Sequence, residues 1–227
     1  MPCNIGFKSY AKAEIPTPQP QTFKTKAEAP NIDADLLEKL GVEDATFLKW
    51  AQSLDTVPLL EEALKRTLAK LSIAGVSFSI NSAGMLEASG KFTSPGEKRR
   101  LAEQTAAVTD QWQMEILAIV TELLDYTPVL SKNGSELVLV AEEVGKSHPC
   151  DYIKVTKKGG DGSICFEHFK SRKAIDLATA KFLLLAHKLG VKIAMGKNSI
   201  SEGDPLPSDI KHKHSHWHNG VEHFHEH

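Results

Sequence analysis

Apolar positions recur at spacings of three and four through much of the first half of the chain, then give way to alternation. Asp33 is placed to cap a short helix carrying Leu36, Leu37 and Leu40, which stops at Gly41. A second helix is expected over 43–54, with Phe47, Leu48, Ala51 and Leu54 on one face. Thr56-Val57-Pro58 opens a third, because proline is tolerated in a first turn. Leu60, Leu64, Leu68 and Leu71 carry that helix toward Gly75. Val76, Phe78 and Ile80 then alternate with Ser77 and Ser79, the period of a strand. Residues 81–84 make a turn, and Met85 to Ala88 returns as the second strand of a hairpin.

Ser94-Pro95-Gly96-Glu97 combines a capping box with proline at the first helical position. Leu101, Thr105, Val108, Trp112, Ile116, Ile119 and Leu123 follow on one stripe. The spacing predicts one helix from 95 to about 125, about 45 Å long at 1.5 Å per residue, ending before Thr127-Pro128. Strands are expected at 136–144, 151–156 and 163–169, a helix from about 173 to Gly190, and a last strand over 191–195. The second and third of these strands read as a hairpin that pairs Thr156 with Ser163. The order from the long helix onward is αβββαβ.

The two ends of the chain read differently. Residues 1–31 hold four prolines between Pro16 and Pro30, set among Lys, Gln, Thr and Ala. Such a stretch buries too little apolar surface to offset its ordering entropy, so a disordered Pro-rich leader is expected. From 197 onward Gly, Ser, Pro and Asp mark a linker. The expected fold class is therefore α+β. A mostly helical region over 32–130, with a β-hairpin at 76–88, precedes a small α/β region over 131–196, and a linker and tail fill 197–227.

Composition narrows the function classes. Hydrophobic content of 41% and charged content of 25% are those of ordinary globular proteins. A formal net charge of -2 gives no global attraction for nucleic acid or acidic lipid. No apolar run approaches the eighteen or so residues of a membrane span, and the first residues lack the apolar stretch of a secretory signal. Cytoplasmic residence is the expectation, and the three cysteines, Cys3, Cys150 and Cys165, are expected as free thiols.

The strongest chemical signal lies in the tail. Seven of the ten histidines fall between His212 and His227: His212, His214, His216, His218, His223, His225 and His227. Neutral imidazole is a good ligand for zinc, nickel and copper, so a divalent transition metal is the expected cofactor. The histidines alternate on either side of Asn219-Gly220, the preferred pair for a two-residue type I′ turn. A hairpin turned there pairs His218 with Val221, His216 with His223, His214 with His225 and His212 with His227. All seven imidazoles then share one face. A lone hairpin is marginal in water, and a bound cation would supply part of the missing stability.

The body carries weaker constellations. Cys150, Cys165, His148 and His168 invite a zinc reading. The expected pairing sets Cys150 opposite Phe169 and Cys165 opposite Lys154. The two thiol positions are then about 13 Å apart at 3.3 Å per residue, against zinc bonds of about 2.0–2.3 Å. Residues 157–162 read as a hairpin turn, and the pair Glu142-Glu143 as a solvated strand end.

The αβββαβ order, together with Pro149-Cys150-Asp151 and the run from Glu167 to Lys170, resembles the PD-(D/E)xK nuclease family over about 95–195. The resemblance implies an acid on one strand and an acid-x-Lys on the next around a magnesium ion, here Asp151, Glu167 and Lys170. This chain departs from the pattern, since two residues and not one separate Glu167 from Lys170. On a regular strand those two point to opposite faces, unless a bulge intervenes or His168, which the expected pairing sets opposite Asp151 with Lys170 next on that face, replaces the acid.

Three readings follow. The leading one is non-enzymatic: a cytoplasmic protein for transition-metal storage, delivery or sensing, using its His-rich segment. The second is a divergent metal-dependent nuclease centred on Asp151, Glu167 and Lys170. The third is an assembly or adaptor protein that meets a protein partner through the N-terminal arm or the long helix.

Overall fold

The described residues of the computed structural model are 5–14, 41–89, 95–143, 150–159, 161–169, 172–195 and 199–205. They form an α+β fold. In chain order the elements are β1 (Ile5–Glu14), α1 (Ala45–Ser53), α2 (Thr56–Lys70), β2 (Ser77–Ile80), β3 (Leu86–Ser89), α3 (Pro95–Leu123), β4 (Tyr126–Asn133), β5 (Glu136–Glu143), β6 (Cys150–Lys158), β7 (Asp161–Phe169), α4 (Arg172–Lys188), β8 (Ala194–Met195) and β9 (Ser199–Pro205). β2 and β3 are a separate hairpin. The other seven strands make one sheet in the order β4-β5-β6-β7-β1-β8, with β9 also paired to β1.

Helix ends follow from local chemistry. Asp44 Oδ1 accepts from the Phe47 N–H at 3.0 Å, and Asp55 Oδ1 accepts from the Val57 N–H at 3.3 Å, so α1 and α2 each open behind an aspartate cap. α3 runs 29 residues and stops where Asp125 takes a left-handed φ of 65°. Aspartate tolerates that region better than most side chains, and it serves here as glycine does at other helix ends. The next residue, Tyr126, begins β4.

β4 to β7 form an antiparallel meander. Alternation sends Leu137, Leu139 and Ala141 of β5, Ile153 and Val155 of β6, and Ile164 and Phe166 of β7 to one face. α3 covers that face over β4 and β5, and α4 covers it over β6 and β7. Phe166 and Phe182 meet edge to face at 6.0 Å. Phe182, Leu184 and Leu185 are fully buried, and each contributes on the order of 1.5–3 kcal/mol by leaving water.

A further helical layer lies over α3. Trp112 Nε1 donates to the Leu60 carbonyl at 3.1 Å, and Arg66 of α2 grips Glu122 of α3 with two bonds of 2.6 and 3.1 Å. Lys181 of α4 donates to Asp44 Oδ2 at 2.8 Å and sits 4.6 Å over the Phe47 ring, which ties α1 to α4.

The structure departs from the expected outline in four places. The leader read as disordered over 1–31 contains β1, whose residues 8–14 pair with β7. Its four clustered prolines all follow Glu14, so a composition averaged over 31 residues hides a ten-residue stretch with full donor capacity. Residues 199–205, read as linker, pair with β1. β4 was not expected, and the boundary at 130 falls inside it. Pro128 argues against a central strand, but β4 is the edge of the sheet, where proline is tolerated. The order from α3 onward is therefore αββββαββ, and β8 is only two residues long and pairs with β1. The short helix expected after Asp33 lies outside the described residues; Gly41, its expected stop, has a φ of 63°.

Candidate functional site

All seven tail histidines, His212, His214, His216, His218, His223, His225 and His227, lie outside the described residues. What the structure describes is the segment that leads into them. β9 ends at Pro205, held antiparallel to β1 with Pro205 opposite Ile5.

The register of β6 on β7 is the expected one, with Cys150 opposite Phe169, Lys154 opposite Cys165 and Thr156 opposite Ser163. It keeps Cys150 and Cys165 four register positions apart. Cys165 is buried. His148 lies outside the described residues.

The same register bears on the acid pair. Tyr152 is the direct partner of Glu167, so Asp151 falls in the alternation of Ile153 and Val155, and Glu167 falls in the other. The register pairs run from Cys150–Phe169 to Lys158–Asp161 at constant offset, with no bulge between them. The backbone thus assigns positions 151 and 167 to opposite faces of the sheet. Lys170 lies outside the described residues.

The sharpest electrostatic feature of the body was not legible as one. The residues read as a turn, 157–162, are mostly strand: β6 continues to Lys158 and β7 begins at Asp161, with Gly159 at φ 62° in the tight turn. Lys157 therefore belongs to β6, on the face that packs against α3, and its side chain is 1% exposed. Its ammonium donates to Asp110 Oδ1 at 2.8 Å and to Gln113 Oε1. Burial pulls its pKa below the ordinary lysine range, and the Asp110 carboxylate opposes that shift. The only signal in the sequence is the polar pair Asp110 and Gln113, three apart on a helix that is otherwise apolar on that side.

A second buried charge lies nearby on α3. Glu115, 2% exposed, accepts from Lys70 of α2 at 2.8 Å and from Gln111 Nε2 at 3.2 Å. Arg66 is held further into its charged form by Glu122, with Glu62 adding a bond of 3.0 Å. These groups join helix to sheet and helix to helix. With Lys157 and Glu115 almost wholly enclosed by protein, they anchor the layers.

Glu142, read as part of a solvated strand end, is half-buried, and its Oε1 is shielded from solvent. Among the described residues no group of three or more His, Cys, Asp or Glu side chains is placed to hold a metal ion, and no helix is long and apolar enough to cross a membrane. No protein-family model matches the chain, and no curated protein or solved structure matches it either.

Proposed function

We propose that this protein binds a divalent transition metal (zinc, nickel or copper) through His212, His214, His216, His218, His223, His225 and His227, for storage, delivery or sensing. The observation that carries the reading is the spacing of the seven histidines. They alternate on both sides of Asn219-Gly220, which is the spacing that sets imidazoles on one face of a hairpin. Metal binding by imidazole requires the neutral ring, so the site loads at neutral pH and empties in acid. The body serves as the carrier of this segment. Its buried ion pairs and closed core suit a scaffold, and the opposed register of positions 151 and 167 favours this reading over a nuclease.

The deciding measurement is the metal content of protein purified without an affinity tag and without an immobilised-metal column. About one or more equivalents of Zn, Ni or Cu, lost on deleting residues 211–227, is the expected result. Metal-free protein that takes up none of these ions at micromolar concentration would end the proposal.

A further inference from the structure

α1, α2 and the β2–β3 hairpin, residues 41–89, make the outer layer of the fold, and its join to α3 and α4 is unlike the join between helices and sheet. The side chains that this layer buries completely are small: Ala51, Ala63 and Thr67. The helix–sheet interface buries Phe166, Phe182 and Leu185 to the same degree. Burial stabilises in proportion to apolar area, so an alanine holds far less than a phenylalanine. Charge supplies what apolar area does not. Among the described residues three ion pairs cross the seam: Arg66 to Glu122 at 2.6 Å, Lys70 to Glu115 at 2.8 Å and Lys181 to Asp44 at 2.8 Å. Five of these six groups keep access to solvent, and Glu115 is buried.

We propose that residues 41–89 are an ionically latched outer layer, which opens from α3, α4 and the sheet as one unit when its three ion pairs are screened. Closing the layer strips water from the Glu115 carboxylate, and Lys70 offsets that cost only while α2 is docked. Opening returns Glu115 and its partner to water together, a recovery of hydration that an all-apolar seam does not offer. The partners of Lys70, Arg66 and Asp44 all lie across the seam, so the layer's own folding is not spent when the pairs part. Lys157, the buried charge of the helix–sheet interface, is by contrast set in a core of large apolar side chains that stays closed. Opening is thus local, with the sheet intact. It frees the Trp112 indole from the Leu60 carbonyl and presents the acidic positions Glu115 and Glu122 of α3 to solvent. Access to that face of α3 is governed by the strength of the latch.

The test is native-state amide exchange on the full chain at about 0.01 M and about 1 M NaCl, between which the screening length falls from about 30 Å to about 3 Å. Amides of α1 and α2 should exchange together, and about tenfold faster at high salt, the combined scale of three partly exposed pairs. Amides of β5 and β6 should not speed up. Trp112 emission, read in a Trp50→Phe, Trp217→Phe background, should shift to the red over the same range. Arg66→Gln combined with Lys70→Gln should show at low salt the fast α2 exchange that the parent shows at high salt, with most of the salt dependence gone. Slow β5 and β6 exchange in that variant distinguishes an open layer from a chain that has unfolded, and the parent salt series decides by itself if the variant does not fold. Exchange of α2 that tracks β5 and β6 at both salt concentrations overturns the proposal, because the layer then opens only with the whole protein. So does a folded double variant whose α2 exchange keeps the parent's rate and salt dependence.

Discussion

Lys157 of β6 and Asp110 of α3 meet at 2.8 Å, with the lysine side chain 1% exposed and the aspartate 27% exposed. The pair is unequal: one partner is sealed in the interface between helix and sheet, and the other keeps a route to water. Removing Asp110 strands a buried ammonium with Gln113 as its remaining acceptor. Asp110→Ala should therefore destabilise the protein by about 2–3 kcal/mol, below the range for a fully enclosed pair because Asp110 is part-exposed. Lys157→Met, which fills the same space with apolar atoms and leaves an aspartate that can reach solvent, should cost less than half of that. Urea denaturation of both variants checks the order, and a larger loss for Lys157→Met than for Asp110→Ala would contradict it.

The same lysine sets a pH dependence. Its folded pKa lies below the value of 10.5, because burial outweighs the pull of Asp110. Between the folded and unfolded values the unfolded chain binds more protons, so the Lys157 contribution to stability rises with pH across that window. Below the folded pKa the burial penalty is present in full. The stability of the parent relative to Lys157→Met should thus improve as pH climbs toward 10.5, as read from paired denaturation curves. A flat difference would mean that Lys157 is not desolvated in the folded protein.

Among the described residues β1 is the sole partner of β8 and β9 and the outer neighbour of β7. A chain lacking residues 1–14 should lose the ladder against Asp161 to Glu167, leave the β7 edge open, and release residues 194–205 from pairing. The expected outcome is a less stable protein that associates at concentrations where the parent does not, as measured by light scattering. A truncated chain with the parent's Tm and light scattering would show that β1 contributes nothing to the sheet.

Metal binding by the tail should depend on its turn as well as on its histidines. Replacing Asn219 and Gly220 with valine keeps every imidazole but disfavours the positive φ of a type I′ turn. Zn²⁺ affinity of the full chain should fall several-fold, and binding by the parent should decline as pH drops through about 6.5, the unperturbed histidine pKa. Equal affinity for parent and turn variant would make the segment a loose chelator without an ordered hairpin.

Local periodicity determined a good part of this protein. The helices α1 to α4, the β2–β3 hairpin and the β6–β7 register are legible because each depends on residues close in sequence. Apolar stripes of period 3.6 and the alternation of hairpin strands act within a few positions, and no distant partner is needed to interpret them. Tertiary structure decided the rest. Residues 5–14 form a strand because β7 offers an edge some 150 positions away, and residues 199–205 form one because β1 then offers its other edge. Pro128 sits in a strand because β4 borders the sheet on one side only, so a missing donor leaves no gap in an interior ladder. Lys157 looks like a turn lysine until α3 is laid over β6 and brings Asp110 and Gln113 to its ammonium. In each case the deciding free energy belongs to a partner remote in sequence, and no pattern within a window of the chain can carry it.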